Sequence, residues 1–166
     1  MADIYSGILI WFWVQTTSFM SGTMLVAVDG SPEAYNALIW VLEHIKEEGR
    51  ACVLYVISPS KYAAIDGAAG YEGISTLHEI REKIINDERE QVVNRVKELA
   101  HDRGVDVEMI IRTGDPRSEI LNAADEIGAD LIAVGSTGKG LGARILLGSV
   151  STYILTHAKV STVVVR

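Results

Sequence analysis

The 166-residue sequence contains one cysteine, Cys52, so no intramolecular disulfide can form. Cys52 lies in an apolar run and reads as a buried structural thiol, which fits a reducing compartment. No lysine or arginine precedes Lys46, which removes the basic start of a secretory signal. The strongest apolar run, Gly7 to Val14 (GILIWFWV), is far shorter than the ~20 residues of a membrane-spanning helix. Positive charge is scarce, with 15 Lys and Arg against 22 Asp and Glu, and a net charge of −7 argues against a general nucleic-acid binder. Catalytic patterns are also missing. His44, His78, His101 and His157 are scattered without metal-ligand spacing and read as structural, and no G-x-S-x-G nucleophile elbow occurs.

What remains is an alternation of short apolar runs with helical patterns, at a length that suits one domain. Met24–Asp29 reads as a strand, followed by a helix with Ser31 as N-cap, Pro32 at its first position, and an end at Gly49. Ala51–Ile57 lacks alternation, as a strand covered on both faces does. Ser58 to Ser75 has no clear period and is expected to be a long connection, a lid or a surface insertion. A long helix follows, with Leu77, Ile80, Ile84, Val92, Val96 and Leu99 on one face, stopping near Arg103-Gly104. Val105–Arg112 is a third strand, and Asp115 caps a helix whose inner face is Ile120, Leu121, Ala124 and Ile127. Asp130–Val134, a helix over Val150 to His157, and a strand at Val160–Val165 complete the series. This alternation predicts an α/β fold with a doubly wound parallel sheet.

In such sheets ligands sit beyond the carboxyl ends of the strands. Three segments begin there: Asp29-Gly30-Ser31, the stretch after Val56, and Gly135 to Ser149. Asp29 either accepts hydrogen bonds from a ribose or base, helps hold a hydrated metal ion, or caps its own turn. Gly135 and Gly138 would let backbone approach a polyphosphate, Gly148-Ser149 would open the next helix, and Ser149 would be both N-cap and phosphate ligand. Lys139 and Arg144 are candidates for neutralising phosphate charge. The segment fails the P-loop pattern because Leu141 stands where lysine would follow the second glycine. Gly138 to Ala143 formally satisfies G-x-G-x-x-A, but far from a first strand and with no helix at its end.

The residues together resemble the universal stress proteins, in their ATP-binding branch. The G-x2-G-x9-G-[S/T] hallmark is matched by Gly135, Gly138, Gly148 and Ser149. MLVAVDGSPEA, Gly114-Asp115-Pro116 and LLGSVSTYILTHA are similar to the first strand and turn, a later turn, and the C-terminal signature. The resemblance covers residues 24–166 and implies a five-stranded parallel sheet of order 3-2-1-4-5. It further implies a homodimer through the last strand and ATP, with Mg2+ or Mn2+, in a cytoplasmic stress-response regulator. Carried over by position, Ala27, Val28, Asp29 and Val56 would border adenine and ribose. Val134 and Gly135 would close the adenosine end, while Gly138, Gly148, Ser149 and Val150 would line the phosphates.

Two departures stand out. Ser161 replaces the usual proline at the start of the terminal strand, where the dimer would pair. Residues 1–23, with Trp11-Phe12-Trp13, have no counterpart and read as a partner-contacting or partly ordered arm rather than a membrane anchor. An upstream extension before a start at Met20 or Met24 is a further reading. Functional alternatives to a nucleotide-binding regulator are a slow metal-dependent ATPase or nucleotidyl-transfer enzyme, and a scaffolding dimer that has lost the nucleotide.

Overall fold

The computed structural model of the chain describes residues 21–67, 74–137 and 147–166. Strands β1 (Thr23–Val28), β2 (Arg50–Ile57), β3 (Val107–Thr113), β4 (Leu131–Gly135) and β5 (Ser161–Val165) form one parallel sheet of order β3-β2-β1-β4-β5. Helices α1 (Pro32–His44), α2 (Pro59–Gly67), α3 (Ile74–His101), α4 (Pro116–Ile127) and α5 (Ser149–His157) connect them. The predicted fold class and strand order both hold. Successive residues of β1 face opposite sides: Met24, Val26 and Val28 pack with Leu38 and Val41 of α1 and Val92 and Val96 of α3. Leu25 packs with Ile132, with Ile120 and Ala123 of α4, and with Ile154 of α5. The strand is apolar throughout because both faces are covered. Cys52 lies fully buried in the second of these cores, and burial pushes its thiol pKa up.

Because right-handed crossovers run outward from β1 to β3 and then back to β4 and β5, their helices fall on opposite faces. The chain therefore diverges between β1 and β4, whose register pairs Ala27 with Val134. A ligand cleft is expected at this divergence.

The caps of α1 and α4 match the sequence signals. Ser31 Oγ accepts from Ala34 N at 3.3 Å, and an Asp115 carboxylate oxygen accepts from Arg117 N at 2.8 Å. Three expectations change. Helix α1 ends at His44, not Gly49, because Ile45 turns extended and packs against the core. The Ser58–Ser75 connection contains α2, which carries no apolar stripe and so left no periodic signal. Polar contacts fasten its first turns: Tyr62 Oη donates to Glu88 Oε2 at 2.6 Å, and Lys61 Nζ pairs with the same oxygen at 2.5 Å. On α3, Val92, Val96 and Leu99 are buried, but Ile80 and Ile84 are 45% and 36% exposed. A 28-residue helix spans ~42 Å, much longer than the strands it covers, so only part of its apolar stripe meets the sheet.

Tyr55, on β2, lies near Tyr62, and both side chains are buried. Burial, together with the neighbouring Glu88 carboxylate, raises both pKa values from the ordinary 10.0 to about 12. In the unfolded chain these groups lose their protons near 10, while the folded protein retains them. The unfolded state then binds fewer protons, so stability is lost as pH rises from about 10 to about 12. Urea unfolding midpoints that fall across this window, alongside tyrosinate absorbance that rises late in the native protein, are the expected result.

Candidate functional site

A cleft of about 280 Å³ opens at the carboxyl ends of β1, β2 and β4. It is lined by Ala27, Val28, Asp29, Val56, Val134, Gly135, Gly148, Ser149 and Val150, nine of the ten residues picked out in the sequence. Gly138, with Lys139 and Arg144, lies outside the described residues. Seven further residues complete the lining: Ser31, Ala34, Leu54, Pro116, Ile120, Thr137 and Ser151. Some of these left a usable signal. Leu54 stands two residues before Val56 on the same strand face, and Ser31 and Ala34 form the first turn after Asp29. Pro116 and Ile120 come from α4, whose approach to the cleft is a tertiary event. None of the four histidines lines it.

The floor is apolar, formed by Ala27, Leu54, Val56, Ile120 and Val134 from the second core face. The rim is polar. Asp29 Oδ1 accepts from Ser31 N at 2.9 Å, closing a turn in which Gly30 has φ +82°, a value that suits glycine. Asp29 thus caps its turn and borders the cleft at once.

The segment after β4 is tied at both ends. Ser136 N donates to Val165 O at 2.7 Å, and Ser136 O accepts from Gly148 N at 2.7 Å and from Ser151 Oγ at 3.0 Å. Ser31 Oγ also donates to Thr137 O at 3.4 Å, linking α1 to the same corner. These bonds place the start of α5 against the cleft.

One cap assignment is corrected by this geometry. Gly148, not Ser149, is the N-cap of α5, and Ser149 is the first helical residue. The cap has no side-chain hydrogen bond, unlike those of α1 and α4. The first residues of α5, Ser149, Val150 and Ser151, line the cleft at the positive end of the helix dipole, and the cap offers their N–H groups no side-chain acceptor. Gly135 has a structural reason to lack a side chain. A Cβ there would lie 2.7 Å from both Ala34 N and Glu33 C, so the glycine lets the first turn of α1 rest on the end of β4. Among the described residues, no group of three or more His, Cys, Asp or Glu side chains could hold a metal ion.

The profile of the Universal stress protein family matches residues 20–166. The chain belongs to that family. Universal stress protein YxiE of Bacillus subtilis is 32% identical over 149 residues, spanning 89% of this chain and all of that protein. Among solved structures, the hypothetical protein MJ0577 superposes with a TM-score of 0.68 at 27% identity, covering 88% of this universal stress protein and 96% of its own chain. A universal stress protein solved in complex with cAMP shares the fold at a TM-score of 0.58 and 21% identity, covering 87% and 96% of the two chains. No helix among the described residues is long and apolar enough to cross a membrane.

Proposed function

We propose that this universal stress protein is an ATP-binding regulatory protein of the stress response, working in the cytoplasm. The observation that carries the reading is the meeting, in one cleft, of an apolar floor and the α5 N-terminus without a side-chain cap. An adenine ring needs an apolar slot, and a polyphosphate needs N–H donors with local positive potential. Ala27, Val28, Val56 and Val134 would hold the base, and Asp29 would take the ribose. Gly135 would close that end, while Gly138, Gly148, Ser149 and Val150 would border the phosphates. The net charge of −7 is no obstacle, because the field at a helix N-terminus is local. The solved relative in complex with cAMP supports an adenine nucleotide as the ligand class.

A Mg2+ or Mn2+ ion would arrive with the phosphates, since Mg2+ is held by phosphate oxygens, water and one or two carboxylates rather than by a protein cage. Asp29 is the acidic residue on the cleft wall that fits this role. The ion would neutralise phosphate charge. Residues 24–166, with Thr23 opening β1, would form the nucleotide-binding domain. Strand β5, at the edge of the sheet among the described residues, suits pairing with a second copy as a homodimer.

Calorimetric titration with ATP in the presence of Mg2+ tests the reading. Saturable binding at one site per chain is expected. Absence of binding by the folded protein would overturn it.

A further inference from the structure

A second cleft, of about 190 Å³, lies beside the first at the same edge of the sheet. The two are separated only by the end of β2 and the turn after β3. Val56 and Pro116 line the first, Ile57 and Thr113 the second, and Gly114 N donates to Ile57 O at 3.0 Å across this wall. The outer wall of the second cleft is α3, where Arg81, Ile85 and Arg89 stand four residues apart on one face. Glu82 also lines it, 3.7 Å from Arg81. Among the described residues that line it, two guanidinium groups thus stand against one carboxylate, with the Glu88 carboxylate, already paired with Lys61, held by the lining Tyr62. Arg89 makes no ion pair among the described residues, in a protein where Asp and Glu outnumber Lys and Arg by 22 to 15.

We propose that this second cleft binds a compact phosphorylated anion of the diphosphate class through Arg81 and Arg89. Guanidinium presents a planar fork of N–H donors that matches phosphate oxygens two at a time. Two such forks, two helical turns apart, favour a ligand with more than one anionic group over a single small ion. Ile57 and Ile85 give the cleft apolar sides, which strengthen charge–charge attraction relative to open water. The Thr113 hydroxyl and the Asn86 amide add neutral donors at the same wall. The assignment is independent of ATP binding in the first cleft, because the two linings share no residue.

The test follows backbone amide resonances of the full chain during titration with inorganic pyrophosphate, with citrate as a carboxylate polyanion for comparison. Pyrophosphate is expected to shift Ile57, Ile85 and Thr113 saturably at millimolar or lower concentration, and citrate to shift them more weakly. Arg89→Met, which keeps the stem and removes the charge, is expected to weaken the response at least ~10-fold. Arg89→Lys keeps the charge without the fork and is expected to fall between. The proposal is overturned if pyrophosphate shifts only Ser149 and Val150 of the first cleft, or nothing at all. It is equally overturned if citrate binds as well as pyrophosphate, or if folded Arg89→Met binds like the unaltered protein.

Discussion

Gly135→Val is expected to lower unfolding stability by about 3 kcal/mol or more, as the side chain would have to enter backbone of α1. An added Cβ would stand 2.7 Å from Ala34 N and Glu33 C, and 3.1 Å from Ala34 Cα. These are main-chain atoms in the first turn of a helix, held by the Ser31 cap, so no flexible side chain can swing aside. Relief would require α1 to lift from the end of β4. For a chain of this size, each kcal/mol shifts the melting temperature by ~2–4 °C, so a fall of roughly 6–12 °C should be seen by calorimetry. Gly135→Ala isolates the same contact with the smallest possible addition. If the alanine variant keeps full stability while losing ATP, the glycine serves the ligand and not the helix.

Ser149→Asp is expected to separate folding from binding. Ser149 is exposed and is the first helical residue of α5, where a carboxylate interacts favourably with the helix dipole by ~0.3–1 kcal/mol. Stability should therefore hold or rise slightly. The same carboxylate would occupy the positive end that the proposed phosphates need, and would repel them. Affinity for ATP is expected to fall ~10- to 100-fold, equivalent to about 1.4–2.8 kcal/mol. Calorimetric titration set beside urea unfolding reads the two effects separately. An unchanged affinity would place the phosphates away from α5.

The order of strands was legible because burial on both faces leaves continuous apolar runs, and because Ser31-Pro32 and Asp115-Pro116 announce helix starts by local chemistry. The residues around the cleft were legible for a related reason. Most sit at strand ends or at the start of α5, positions that glycine spacing and strand boundaries mark directly. Helix α2 was not legible, since the contacts that Tyr62 and Lys61 make with a single carboxylate on α3 leave no periodic signal in the sequence. Ile80 and Ile84 continue the helical period of α3 while remaining exposed, because periodicity records which side a residue occupies and not how far the sheet extends beneath it. Gly135 shows the same limit at one residue. Its spacing points to a phosphate loop, yet the atoms nearest its missing Cβ belong to Glu33 and Ala34 of α1, far away in the sequence. The second cleft is likewise assembled from β2, α2, α3 and β3, whose residues carry no motif in common.

The double acceptance by Ser136 O, from Gly148 N and Ser151 Oγ, closes the excursion after β4 at its base. Once a stretch of chain is pinned at its two ends, doubling its length costs only ~0.6 kcal/mol of closure entropy. A change in chain length between Thr137 and Leu147 is accordingly expected to cost the sheet little. The β4–α5 junction then acts as a fixed socket, and what is fitted between its two ends can diverge while the fold beneath it stays the same.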